Sequence, residues 1–276
     1  MTPANKENVI LCRCHFIDDE ALGLYQAIKE SCGLEYDVIF LCDQTNSAIK
    51  MVQGCSYHTS DLKEVSKMGY RMWEGRGLHF HMDYEVLHFY RAFPSYEYYW
   101  VLEYDVRFNG NWSDFFKAFR ENKADLLSTY VRRRRDDPHW IWWDTHNLEV
   151  SDDRLMAIFC PVVRFSRKAL EVLHEKHLAG LYGYCEVVVP TIISQAGLNV
   201  MDISERFYDP LASFNYNGVI CPQKGKLSHP VKTRDLLNRM VSIYRYIFRA
   251  KYDSHWSVRW AQYLLYKVFR LPQRQY

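Results

Sequence analysis

At 276 residues, with 48% hydrophobic and 25% charged side chains and a net charge of +2, the chain has the composition of one large globular domain or a domain with an appendage. No internal repeat or low-complexity tract is present, and the acidic balance of most of the chain, with no recognised module, argues against nucleic-acid binding. No stretch approaches the roughly 18 uncharged apolar residues of a membrane span, and the apolar run in MTPANKENVILCRCHF is too short for a signal peptide.

The eight cysteines, at 12, 14, 32, 42, 55, 160, 185 and 221, fall mostly in apolar segments. That placement suits reduced core thiols of a cytoplasmic protein better than a disulfide framework, and Cys12-x-Cys14 lacks the second pair a zinc site needs. The small net charge conceals an asymmetry. Residues 232–276 carry ten Lys and Arg against two Asp, a net +8, while residues 1–231 carry 25 against 31, a net −6.

Residues Asn8–His15 read as a strand, and Asp18-Asp19-Glu20 opens an amphipathic helix through Ser31 with acids at its positive end. Tyr36–Cys42 is a second strand ending at Asp43, so the chain begins β-α-β, the start of a parallel sheet. Ligands of such sheets gather at the carboxyl ends of the strands. His15, Asp18 and Asp43 lie at those ends, where nucleotide contact and simple capping or turning are both open. Residues 44–78 read as loops with a short helix. His81–Phe93 has helical spacing and stops at Pro94, and Tyr98–Leu102 is a continuous apolar strand running into Glu103-Tyr104-Asp105.

Further along, a helix is expected over Ser113–Glu121, a strand over Asp125–Val131, and a long loop over Arg132–Glu149 that mixes four arginines with three tryptophans. A strand over Leu155–Phe165 and a helix over Ser166–His177 follow. Tyr184-Cys185-Glu186 precedes a helix beginning near Pro190, Val200–Ile203 is a last short strand, and Gly218–Lys232 reads as irregular. Arg239–Arg270 interleaves cations with Tyr, Phe and Trp in two helical stretches. Such a tail suits the surface of an anionic membrane, or equally packing on the domain or a homodimer interface.

Two carboxylates at i and i+2 of an extended chain project to one side, so Glu103 and Asp105 can share a ligand where their strand leaves the sheet. A hard divalent cation, Mg²⁺ or Mn²⁺, takes one or two carboxylates and completes its shell with phosphate and water. A solvated acidic pair is the alternative. The run Trp100-Val101-Leu102-Glu103-Tyr104-Asp105-Val106-Arg107 resembles the W-x-x-E-x-D-V-R signature of bacterial and fungal glycosyltransferase-like proteins of the GT-A type, with further similarity over roughly residues 8–232.

That resemblance implies an α/β, GT-A (Rossmann-like) fold, a mixed, mainly parallel sheet flanked by helices over residues 1–232; the residue pattern adds a helical basic-aromatic extension over 233–276. The resemblance also implies a nucleotide-sugar-dependent transferase in cell-surface polysaccharide or glycolipid synthesis, with a saccharide or lipid-linked saccharide acceptor. Glu103 and Asp105 then match a D-x-D-type metal and diphosphate motif, with Glu in the place of the commoner first Asp, which ranks Asp105 first as metal ligand. Glu186 matches the general base of inverting transfer, against the alternative of a carboxylate stabilised by a helix dipole. His229 in Ser228-His229-Pro230-Val231-Lys232 matches a late metal ligand, and Lys232 a charge on phosphate. His15, Asp43 and Arg107 complete the expected donor site. From the residues themselves, Arg132, Trp140, Trp142 and Trp143 are read as an acceptor-binding loop whose aromatic planes can stack on a sugar ring or base, with Asp144 and His146 beside them, against the alternative of a solvated arginine face. A cytoplasmic enzyme, peripheral on the inner face of the membrane and binding no nucleic acid, is the expected setting. A nucleotidyltransferase and a non-catalytic saccharide-binding scaffold are the rivals, the former lacking a Gly-rich phosphate loop.

Overall fold

The computed structural model describes residues 6–73, 76–204 and 224–230. In chain order its main elements are β1 (Asn8–Cys14), α1 (Asp19–Cys32), β2 (Tyr36–Asp43), β3 (Tyr57–Ser60), α2 (Leu62–Ser66), α3 (Met82–Ala92), β4 (Tyr98–Glu103) and β5 (Arg107–Phe108). There follow α4 (Trp112–Lys117), β6 (Leu126–Arg133), β7 (Met156–Ser166), α5 (Arg167–Leu178), α6 (Cys185–Gln195), β8 (Val200–Asp202) and β9 (Leu227–Ser228).

Seven strands make one sheet in the order β3-β2-β1-β4-β7-β6-β8. All neighbouring pairs are parallel except those of β7, which runs antiparallel to both β4 and β6. This is the expected α/β architecture with a mixed, mainly parallel sheet and helices on both faces. Alternation along the strands sorts the core into two halves. Val9, Leu11, Leu41 and Val101 face α2, α3, α5 and α6, while Ile10, Cys12, Phe40 and Trp100 face α1 and α4. Burial on both faces is why these strands read as continuous apolar runs.

Local chemistry sets the helix starts. Asp18 caps α1 by accepting from the Glu20 and Ala21 amides at 3.1 and 2.9 Å. Asp61 and Glu64 form a reciprocal capping box at α2. Helix α6 begins at Cys185 rather than near Pro190, which lies inside it. Proline has no N–H, so the Glu186 carbonyl loses its ordinary helical donor, and neighbours buried on every side keep the helix intact.

Three other expectations are revised. Strand β3 lies in the segment read as loops, because Tyr-His-Thr-Ser lacks an apolar run. Strand β6 extends through Arg133, so Arg132 and Arg133 belong to the sheet and the loop begins after them. Leu227–Ser228, in the segment read as irregular, pairs antiparallel with Arg107–Phe108. The boundary at 232/233, the basic-aromatic extension and Lys232 lie outside the described residues. Among the described residues no helix is long and apolar enough to cross a membrane, and the seven described cysteines are free thiols.

Trp100, 2% exposed, sits edge-on to Phe115, Phe116 and tilted against Phe119, joining the sheet to the α4 segment. Trp100→Ala is expected to cost about 3–5 kcal/mol in urea unfolding without changing the strand order, the range for an aromatic removed from a packed core.

Candidate active site

The site lies at the carboxyl ends of β1 and β4, which run parallel with Arg13 paired to Glu103. Arg13 continues the side of β1 that carries Val9 and Leu11, and the side chain meets α3. There its Nε and Nη2 donate to Oε1 of Glu85 at 3.1 and 2.6 Å, and Nη2 also donates to the Leu78 carbonyl at 3.3 Å. Its Nη1 donates to Oε1 of Glu103 at 3.1 Å. Burial would strip the charge from Arg13, but Glu85 and Glu103 hold it on.

After Glu103 the backbone turns, so Asp105 reaches the site through a turn rather than along an extended strand. The Val106 amide closes that turn on the Glu103 carbonyl at 3.0 Å. Arg107 secures it, donating to the Tyr104 and Val106 carbonyls at 2.9 and 2.8 Å and to the Glu20 carbonyl at 3.3 Å. Arg107 thus braces the motif from behind. The β5–β9 ladder, extended by Asn109 and Gly225, delivers His229 from more than a hundred residues away.

The Nε2 of His229 lies 3.0 Å from Oε2 of Glu103 and 3.1 Å from Oδ1 of Asp105. One ligand atom from each of the three residues lies within 4.8 Å of the others. Burial opposes charge on both partners, yet hydrogen bonds from His229 and Arg13 hold Glu103 at about 2, and Asp105 with Glu103 pushes His229 up to about 9. The His229 imidazole therefore faces both carboxylates. Two carboxylate oxygens and one imidazole nitrogen are the donor set a divalent cation takes, so the residues fit the expected metal.

Glu186, 8% exposed on the first turn of α6, accepts from the Cys160 amide at 3.1 Å. Burial raises its carboxyl to about 7, against the opposing hydrogen bonds from Cys160 and Tyr184 and the charge of Arg132, and Glu103 adds to the rise. Gly183 makes this helix start possible. It has φ +154°, and a Cβ there would lie 2.4 Å from the Thr145 carbonyl oxygen and 2.6 Å from Val188. The 145–147 loop therefore packs directly on the start of α6.

The other predicted residues divide. Asp43 ends β2, where it accepts from the Thr45 amide at 2.8 Å and its charge reaches Glu85 and His79. His15 is exposed and stands edge-on to Phe16 and Tyr104. Arg132 lies 4.2 Å over Trp140 and donates to Asp137 and the Tyr130 carbonyl. Trp142 is half-buried against Phe80 and Tyr184. Trp143 is buried and donates its indole N–H to the Asp137 carbonyl, so it packs the loop instead of facing solvent. Asp144 pairs with Arg134, and His146 accepts from the Leu148 amide.

Sequence reasoning missed Arg13, Glu85 and the aromatic group of Trp73, Phe80 and Tyr184 around Trp142. A signal existed for the first two, each being a charge set inside an apolar stretch, NVILCRC and YEVL.

No family model matches the sequence, and no curated protein matches it either. Among solved structures, the chain is similar to a glycosyltransferase involved in the glycosylation of the major capsid of PBCV-1, at 12% identity over 82% of this chain and 96% of that one, with a TM-score of 0.44. It is also similar to mouse xyloside xylosyltransferase 1 in its apo form, at 10% identity over 81% and 97% of the two chains, with a TM-score of 0.39.

Proposed function

We propose that the protein is a metal-dependent, inverting glycosyltransferase that moves a sugar from a nucleotide-sugar donor to a saccharide or lipid-linked saccharide acceptor. The observation that carries the reading is the convergence of Glu103, Asp105 and His229, one ligand atom from each within 4.8 Å, at the carboxyl edge of a mainly parallel sheet. These three residues hold the cation, Mn²⁺ or Mg²⁺. When bound, it neutralises the charge that develops on a departing nucleoside diphosphate. Asp43, at the neighbouring strand end, lies on the donor side.

Glu186 is the base. Its ionised carboxylate takes the proton of an acceptor hydroxyl as that oxygen bonds to the anomeric carbon, while the bond from that carbon to the diphosphate oxygen breaks. Direct displacement inverts the centre. Tyr184 links this chemistry to the half-buried rings of Trp140 and Trp142, whose edges and faces suit a sugar ring. The setting we infer is cytoplasmic, with peripheral association at the inner face of the membrane, in polysaccharide or glycolipid synthesis.

Thermal unfolding of the purified full chain against nucleoside diphosphates and nucleotide sugars, with and without Mn²⁺, tests the donor site. A rise in melting temperature that needs Mn²⁺, selects one nucleotide and disappears in Asp105→Asn is the expected outcome. No rise with any nucleotide for the folded protein contradicts the transferase reading and favours a non-catalytic scaffold.

Glu186 works as a base only when ionised. Because its carboxyl sits at about 7, facing Arg132, Tyr184, Cys160 and Glu103, kcat/KM is expected to fall as pH drops below about 7 and to level off above it. Glu186→Gln should lower kcat by roughly 10²–10⁴-fold, leave the Mn²⁺-dependent nucleotide shift intact and abolish that acidic limb. Unchanged turnover in Glu186→Gln rules out the assigned base and with it the argument for inversion.

A further inference from the structure

The place where a carboxylate motif of this kind has its first ligand is occupied here by glutamate, one methylene longer than aspartate and with one more torsion to hold. The structure has a device that removes that freedom. Oε1 of Glu103 is taken by Nη1 of Arg13, and Oε2 is left facing His229 at 3.0 Å. Arg13 is itself committed elsewhere: its other donors go to Oε1 of Glu85 and to the Leu78 carbonyl. The Arg13 side chain is 13% exposed and that of Glu85 fully buried, and the only acceptor Glu85 presents to Arg13 is a single oxygen. A guanidinium spread over three acceptors on three segments has little left to offer a phosphate, whereas its fork fixes the orientation of Glu103.

We propose that Arg13 is a positioning residue, anchored by Glu85, which holds Oε1 of Glu103 so that Oε2 alone is presented beside Asp105 and His229 as a one-oxygen ligand to the divalent cation. The proposal rests on the metal reading above and adds the reason a glutamate serves at position 103. A lysine cannot replace this arginine, because a point charge cannot span Glu85, Leu78 and Glu103 at once. Glu85 acts one step further out, by keeping the Arg13 fork from swinging toward solvent or the cation.

The test is Mn²⁺ alone, titrated into the metal-free full chain and followed by electron paramagnetic resonance of the free ion. The wild type is compared with Arg13→Lys, Glu85→Gln, Glu103→Ala and the Arg13→Lys/Glu103→Ala double variant, with melting temperatures of the metal-free proteins recorded beside them. Arg13→Lys is expected to weaken Mn²⁺ binding by about 10–100-fold, the usual effect of removing a partner that orients a metal ligand. In the Glu103→Ala background the same change should matter by no more than about twofold, because the residue acts through Glu103. Glu85→Gln, which preserves volume and the Arg13 charge, should weaken binding in the same direction and provides the answer should Arg13→Lys not fold. Wild-type affinity in the folded variants, or equal losses in both Glu103 backgrounds, overturns the positioning role while leaving the metal site standing. Failure of the wild type itself to bind Mn²⁺ overturns the metal reading and this inference together.

Discussion

Arg13 and Glu103 are registered neighbours on two parallel strands, and the site depends on that pairing. Parallel alignment puts the ends of β1 and β4 at the same edge of the sheet, and strand alternation turns both side chains toward the α3 face. An arginine there without acceptors, or a glutamate without donors, would carry a heavy desolvation cost. Each resolves the other's burial, Glu85 closes the pair from the helix, and His229 completes the remaining oxygen of Glu103. The geometry of the candidate metal site is therefore a consequence of satisfying buried charge.

The rest of the architecture serves to bring distant residues to that edge. The reversed strand β7 packs beside β4 and carries Cys160, whose amide holds Glu186. Gly183 lets the 145–147 loop close against the start of α6, which sets Tyr184 and Glu186 beside the aromatic loop. A two-residue ladder, β5 with β9, brings His229 onto Glu103 and Asp105. Two carboxyl groups in one neighbourhood are thereby driven to different states. Glu103, with the cationic Arg13 on one oxygen and His229 on the other, stays ionised, whereas Glu186, held by an amide and a phenol, has its carboxyl raised by burial to about 7. One suits a permanent ligand and the other an exchangeable proton.

Much of this was legible in the residues. The central strands announced themselves through apolar runs such as YDVIFLC and YYWVL, and Asp18 and the acids after it marked the start of α1. Glu103 with Asp105 stood out by spacing at the end of an apolar strand, whereas Glu186 and His229 were singled out only through the resemblance to GT-A glycosyltransferases. What pattern does not carry is partnership across the fold. Tyr57–Ser60 is a strand because β2 offers it an edge, and Leu227–Ser228 because Arg107–Phe108 does. Pro190 marked a helix start by its usual preference, but tertiary burial kept it inside α6. Trp143 stood in an apparently exposed loop, yet its indole is a packing element. Arg13 and Glu85 were visible as charges out of place, and their meaning appears only once β1, β4 and α3 are set side by side.

The most direct measurement is a crystal of the full chain grown with Mn²⁺ and a nucleoside diphosphate, with data collected to reveal the metal's anomalous signal. The account predicts one strong peak at coordination distance, roughly 2.0–2.3 Å, from Oε2 of Glu103, from the Asp105 carboxylate and from the imidazole of His229, with diphosphate oxygens on its open side. A nucleotide bound with no peak among these three residues, or a peak held by other side chains, would contradict it.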